Sequence, residues 1–270
     1  MISWINGQAA NAVTVQNRGF AYADGLFETV AVHKKQPLLW KQHLARLERG
    51  LEVLGIHCDM ALLQKEVDEL LGQAGTDSVL KLTVVRCSDG QRGFKPSVNV
   101  SAQRILQLMP WQGGAEPIRI KHCNTPLVSN PLLKGLKTLN TLQYVLAAAE
   151  LGEDYDEGVI CDLDGHIVEG TKSNLFWVNG SGVLVTPDLK NAGIDGIIRQ
   201  VILQRAKHNG IPVKVTSPTI DTMQAAREIF VTNSLVGVQS VNNYEGRELS
   251  DFDMAENIRE LLRGDIFETY

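Results

Sequence analysis

The apolar positions change period along the chain, and each change marks an element. Over residues 40–54, Trp40, Leu44, Leu47, Leu51 and Leu54 recur at steps of four and three. That spacing predicts an amphipathic helix, closed by Gly55. Residues 60–71 predict a second helix, stopped at Gly72. Around these helices the pattern is that of strands, at 3–6, 26–33, 79–86 and 104–108. Asn6-Gly7 and Lys34-Lys35 read as turns, and residues 17–25 as a glycine-punctuated loop.

The pattern stops at residues 109–117, which hold two prolines and two glycines without periodicity. This predicts a smaller N-terminal domain (1–110), a linker (111–117) and a larger C-terminal domain (118–270). In the second part, residues 118–121 read as a strand. A helix is expected from Leu139 onward, with Leu142, Val145, Leu146 and Ala149 on one face and Gly152 as its stop. Residues 158–161 and 166–169 read as a hairpin across Asp162-Leu163-Asp164-Gly165, whose two aspartates fit a turn better than a metal site. A second hairpin turns at residues 179–182, and a helix follows at 197–208. Strands at 212–215 and 228–232 flank a short helix starting near Thr219 or Asp221. After a strand at 237–241, Asp251 or Asp253 is expected to cap a final helix bearing Met254, Ile258, Leu261 and Leu262.

Composition narrows the class. A chain of 270 residues, 44% hydrophobic and 21% charged, is globular and can bury a sizeable core. A net charge of −5 without a basic stripe argues against nucleic acid as a partner. No apolar run approaches the roughly 18 residues that span a bilayer, and the first residues lack a basic and an apolar region. Four cysteines without a Cys-x-x-Cys pair read as reduced thiols in a cytoplasmic protein. The six histidines are scattered, so no metal is expected.

The candidate chemistry is concentrated in residues 169–199. An acid, Glu169, precedes a strand, and a later loop delivers Gly196 to the start of an apolar-periodic helix. A helix start opened by glycine offers free N–H groups and the positive dipole end, which suit a phosphate. A phosphate cradle and an acid together fit pyridoxal phosphate, which has a phosphate at one end and a basic ring nitrogen at the other. Such a cofactor needs a lysine, and a leucine-rich segment offers Lys134 and Lys137, which the residues alone barely separate. Arg46 lies beside the apolar stripe of its helix, Arg92 lies between Gly90 and Gly93, and Thr232-Asn233-Ser234 ends a strand.

The segment Glu169-x-Thr171-x-x-Asn174-Leu175-Phe176, then Leu184-x-Thr186, then Ile194-x-Gly196-Ile197-x-Arg199, resembles the signature of the class IV aminotransferases, the fold-type IV pyridoxal phosphate enzymes. The resemblance implies an α/β (α+β) fold of two domains, D-amino acid aminotransferase-like, with the cofactor between them and a homodimer around the site. It implies Lys137 as the Schiff-base lysine and catalytic base, Arg46 as a phosphate ligand and Glu169 as the acid on the pyridine nitrogen. It also implies backbone phosphate donors at Ile197 and Ile198, phosphate contacts from Ser234 and Asn233, and supporting roles for Asn174 and Asn140.

Residues 17–29, His43-Leu44-x-Arg46-Leu47, Gly90-x-Arg92-Gly93-Phe94 and residues 135–140 are similar to the lyase branch of that family. That branch converts 4-amino-4-deoxychorismate to 4-aminobenzoate and pyruvate, a step of folate biosynthesis, which implies a functional link to the synthase that makes this substrate. Arg92 and Thr29 are then the substrate-side candidates. A transaminase of the same fold, acting on D-amino acids or branched-chain amino acids, is the alternative. Asn17 stands where the family usually has aspartate, and Ala23 where it usually has glycine.

Overall fold

The computed structural model describes residues 1–88, 90, 93–96, 100–114 and 116–266. By contact the chain divides into two units, Met1–Gln112 with Leu136–Asn140, and Gly113–Gly135 with Thr141–Tyr270.

The first unit runs β1 (Ile2–Ile5), β2 (Gln8–Ala9), α1 (Arg18–Tyr22), β3 (Gly25–His33), β4 (Gln36–Pro37), α2 (Trp40–Leu54), α3 (Met60–Leu71), β5 (Asp77–Arg86) and β6 (Ala102–Pro110). Its strands form one antiparallel sheet in the order β2-β1-β6-β5-β3-β4. Alternation along β3 buries Leu26, Glu28, Val30 and Val32, with α2 packed against the strand. The approach is close at one point, where a Cβ on Gly50 of α2 would lie 2.7 Å from Leu26 Cδ1. Gly55 ends α2 with φ +60°, and Gly72 is the C-cap of α3.

The second unit runs β7 (Ile118–His122), α4 (Leu142–Ala149), β8 (Glu157–Cys161), β9 (Ile167–Gly170), β10 (Asn174–Val178), β11 (Leu184–Pro187), α5 (Ile197–His208), β12 (Val213–Thr216), α6 (Ile220–Gln224), β13 (Glu228–Asn233), β14 (Gly237–Tyr244), β15 (Arg247–Glu248) and α7 (Asp253–Leu261). The strands form a mixed sheet, β12-β11-β10-β13-β14-β7-β8-β9, with β15 added to β14. One core lies around Ile120, Leu175, Trp177, Ile229, Val231 and Val241. Another lies around Cys123, Ala147, Ile160 and Val168, with Tyr144 and Leu151 packed on it.

Four expectations change. Residues 17–25 are not a plain loop, because Asn17 accepts from the Phe20 N–H and caps the short helix α1. Ala23 closes that helix at φ +54°, a conformation that disfavours a side chain. The helix expected from Leu139 starts at Leu142, because the backbone of 137–139 is tied to β3 instead. Phe27 N–H donates to the Lys137 carbonyl, and Leu139 N–H to the Gly25 carbonyl. The face of α4 is also reversed. Leu142, Val145, Leu146 and Ala149 are exposed, while Tyr144, Ala147 and Leu151 turn inward. Finally, Asp251 Oδ1 accepts only a long 3.4 Å bond from the Asp253 N–H at the start of α7, and the main cap comes from elsewhere. The carboxylate of Glu228, on β13, accepts from the Met254 and Ala255 N–H groups at 2.8 and 2.6 Å.

Candidate functional site

In the first unit, β3 carries functional groups on both faces. On the buried face, Glu28 receives a fork from Arg46, Nε to Oε1 at 2.8 Å and Nη2 to Oε2 at 2.6 Å. His43 Nδ1 lies 2.6 Å from the same carboxylate. His43 and Arg46 stand three residues apart on α2, so one helix face presents both to one strand residue. All three side chains are buried. Burial raises the Glu28 carboxyl, but the Arg46 charge, its hydrogen bonds and His43 hold it down at about 2. Burial pushes the His43 imidazole below its ordinary value, against the pull of Glu28, with Arg46 and Lys137 adding to the depression.

On the other face, Lys137 Nζ stands over the Phe27 ring, 4.4 Å from its centroid. Residues 137–139 reach this position as an extended piece bridged to β3 through Leu26 and Thr138. Lys137 is half-buried and Lys134 is exposed. Thr29 is half-buried two residues along β3 from Phe27, and Asn140 is exposed. Arg92 lies outside the described residues.

In the second unit, β9 and β10 bring Glu169 and Asn174 together. Glu169 is 3% exposed, and Tyr144 Oη, Asn174 Nδ2 and the Ile194 N–H all donate to its carboxylate, at 2.6, 3.0 and 3.0 Å. Burial, the Glu169 charge and the hydrogen bond to it raise the Tyr144 hydroxyl far above its ordinary range, so it remains a donor. The turn between the two strands is built on Glu157, which is wholly buried. Thr171 Oγ1, the Lys172 N–H and Ser173 Oγ all donate to it. The hydroxyls of the 171–173 motif are thereby spent on shaping the turn.

Asn174 also fixes the start of α5. Its Nδ2 donates to the Ile194 carbonyl at 2.9 Å, and a Cβ on Gly196 would collide with its Oδ1. Gly196 is therefore an N-cap without a side chain, and the N–H groups of Ile197 and Ile198 open the helix. Arg199 ties this start to Asp195 and to the Pro187 carbonyl at the end of β11. Thr232 pairs with Asn174 across β13 and β10, and its Oγ1 is buried with no hydrogen-bond partner among the described residues. Asn233 uses its Oδ1 to accept from the Leu235 and Val236 N–H groups, while Ser234 beside it is half-buried.

The sequence reading gave no site role to Tyr144, Glu157, Glu28 or His43, although Glu28 and His43 stand within the motifs that carry the resemblance. Glu28 and His43 left a trace, an acid in register with Leu26 and Val30 and a histidine three residues before Arg46. Tyr144 was hidden by the choice of the wrong face of α4. Glu157 sits among Glu153, Asp154 and Asp156, and reads as one more surface acid. In the aspartate-rich turn, Asp162 Oδ1 accepts from the Asp164 and His166 N–H groups. All four cysteines are unpaired, and among the described residues no helix is long and apolar enough to cross a membrane.

The arrangement can be set beside known proteins. Residues 25–244 match the family model of the amino-transferase class IV proteins. An aminodeoxychorismate lyase from Vibrio harveyi is 31% identical over 96% of this chain and 97% of its own length. A putative branched-chain-amino-acid aminotransferase from Methanocaldococcus jannaschii is 29% identical over 92% of this chain and 88% of its own. Among solved structures, a 4-amino-4-deoxychorismate lyase from Pseudomonas aeruginosa superimposes with a TM-score of 0.90 at 37% identity, covering 98% of this chain and 99% of that one. The family match spans both clusters, from the β3 that carries Glu28 to the β14 that follows Ser234, and the chain belongs to the class IV aminotransferase family.

Proposed function

We propose that the protein is a pyridoxal phosphate-dependent lyase that converts 4-amino-4-deoxychorismate to 4-aminobenzoate and pyruvate. The observation that carries the reading is the set of donors on Glu169, next to a helix start kept bare by Gly196, in a chain similar over nearly its whole length to two lyases of that name. The donor set fits the cofactor. A buried carboxylate that only accepts suits a protonated ring nitrogen, the N–H groups of Ile197 and Ile198 suit a phosphate, and the unpartnered Thr232 Oγ1 marks a polar position still to be satisfied. When bound, the cofactor supplies an aldehyde that condenses with amines and a ring that draws electrons from the carbon bearing the nitrogen.

The residues then divide the work. Glu169 accepts from the ring nitrogen and keeps it protonated, while Tyr144 and Asn174 hold the carboxylate in place. Ile197, Ile198, Ser234 and Asn233 take the phosphate, and Arg46, oriented by Glu28, adds a positive charge for it. Asn140 is a supporting residue. Lys137 Nζ would hold the cofactor, and its free amine would remove the proton from the substrate carbon bearing nitrogen. The ring C–O bond to the enolpyruvyl group would then break, the group would leave as enolpyruvate and take up a proton at its methylene carbon to become pyruvate, and the substrate ring would become aromatic, which drives the reaction. Thr29 and Arg92 are assigned to the substrate. The exposed apolar row of α4, Leu142 64%, Val145 59% and Leu146 52% accessible, supports a homodimer. The unpaired thiols support a cytoplasmic protein, and the proposed activity would link it to folate biosynthesis and to the synthase that provides its substrate.

Two substrates test the reading. Holoenzyme given 4-amino-4-deoxychorismate should release 4-aminobenzoate and pyruvate. Holoenzyme given only D-alanine or a branched-chain amino acid with 2-oxoglutarate should transaminate poorly. The reverse result would identify a transaminase.

A further inference from the structure

Lys81 is a second lysine at the ring that carries Lys137. It sits on β5 directly opposite Thr29 on β3, and Phe27 lies two residues from Thr29, so Phe27, Thr29 and Lys81 share one face of the sheet. The geometry bears this out, since Lys81 Nζ stands over the Phe27 ring at 5.7 Å from its centroid, against 4.4 Å for Lys137 Nζ. The opposite face holds the buried Glu28, Leu82 and Leu106. The face bearing Lys81 is more open, since Phe27, Thr29, Lys81, Thr83, Ile105 and Gln107 are all half-buried. The pairing of Thr29 with Lys81 and of Lys81 with Gln107 draws a polar row across three strands, directly beside Phe27.

Lys81 is half-buried, with its Nζ against the Phe27 ring. Among the described residues no carboxylate lies within ion-pair distance of it. Two ammonium groups over one ring repel each other, and a half-buried cation without a partner is costly unless an anion completes it. An amine-bearing substrate that reacts at Lys137 brings its own anions, and 4-amino-4-deoxychorismate carries two carboxylates.

We infer that Lys81 is a substrate-specificity residue, whose ammonium pairs with a carboxylate of the dicarboxylate substrate while Thr29 and Gln107 flank that contact. The inference rests on the lyase reading. It separates Lys81 from the groups that hold the cofactor, so its loss should alter substrate affinity and leave cofactor attachment intact.

The test compares wild-type, Lys81→Met and Lys81→Arg holoenzymes. Met keeps the stem without the charge, and Arg restores a charge. With 4-amino-4-deoxychorismate, the Met variant should show KM raised by about 10- to 100-fold, with kcat changed much less, as loss of one charge-assisted contact made equally in ground and transition states requires. The Arg variant should recover most of that loss. Visible cofactor absorbance and borohydride fixation of the cofactor on Lys137 should match wild type in both variants. Wild-type turnover with an unchanged KM in the Met variant overturns the assignment of Lys81 alone, as does a loss of cofactor attachment. Wild-type enzyme that leaves 4-amino-4-deoxychorismate untouched overturns the lyase reading, and the role given to Lys81 with it.

Discussion

The hydroxyl of Tyr144 donates a 2.6 Å hydrogen bond to Glu169, which ties the helix before β8 to the acid at the end of β9. This bond makes α4 part of the machinery rather than a cover for it. Tyr144→Phe keeps the ring and its packing but removes one of the donors that fix the carboxylate. A hydrogen bond to a charged group contributes about 1.5–3 kcal/mol, so cofactor affinity should fall by roughly 10- to 100-fold. Titrating apoenzyme with pyridoxal phosphate and following visible absorbance checks this, and the melting temperature of the apo form should change little.

Glu157 should matter for stability more than its place in an acidic stretch implies. Glu157→Ala would remove the acceptor of the Thr171 and Ser173 hydroxyls and the Lys172 N–H, of which Ser173 is buried and Thr171 half-buried. Each unsatisfied buried donor costs about 1–3 kcal/mol. The variant should lose about 1–3 kcal/mol in urea denaturation. Glu157→Gln, which keeps an acceptor oxygen, should lose less.

Much of this was legible in the sequence, and the gaps have physical causes. The strict four-and-three spacing of Trp40 to Leu54 specified α2 to the residue, and Gly55 marked its end. The 169–199 motif delivered Glu169, Asn174 and Gly196 to one locality because short turns leave the chain little freedom. What escaped depended on partners far away in sequence. Tyr144 looked no more inward than Val145, since both lie on apolar stripes, and only packing against Ile160 and Val168 chooses between them. Lys137 looked like the last residue before a helix, but β3 claims its carbonyl 110 positions earlier, at Phe27. The two short bonds at the start of α7 came from Glu228 rather than from the nearby aspartates for the same reason.

Ala23 should be a site of easy stabilisation. It holds φ +54° at the C-cap of α1, where an L side chain strains and glycine does not. The opposing term is the larger entropy of glycine in the unfolded chain. Ala23→Gly should raise stability by about 0.5–1 kcal/mol in denaturant titration. Asn17→Asp, which keeps the N-cap acceptor, should change it by less than about 0.5 kcal/mol.

Acid should weaken the first unit in two stages. His43 has a folded pKa below its ordinary 6.5, so the unfolded chain takes up its proton first and stability falls as pH drops below 6.5. Glu28 titrates at about 2 when folded against an ordinary 4.5, so its stabilisation is present above pH 4.5 and is lost as pH falls toward 2. Urea midpoints measured from pH 7 to pH 3 should decline through both windows. His43→Gln, which can still donate to Glu28, should lack the part of the decline that begins at pH 6.5.

The outward row of α4 should govern assembly. Leu142→Glu with Val145→Glu places charge on side chains that are 64% and 59% accessible, so the isolated fold should tolerate both. Light scattering should report a dimer for wild type and a monomer for the double variant. A monomeric wild type would remove the assembly role of this face.

The central claim is tested most directly by the product formed from 4-amino-4-deoxychorismate. Reconstituted enzyme should release 4-aminobenzoate and pyruvate in equal amounts, and Lys137→Ala should abolish both. Release of pyruvate only from D-alanine with 2-oxoglutarate, and no 4-aminobenzoate from 4-amino-4-deoxychorismate, would contradict it.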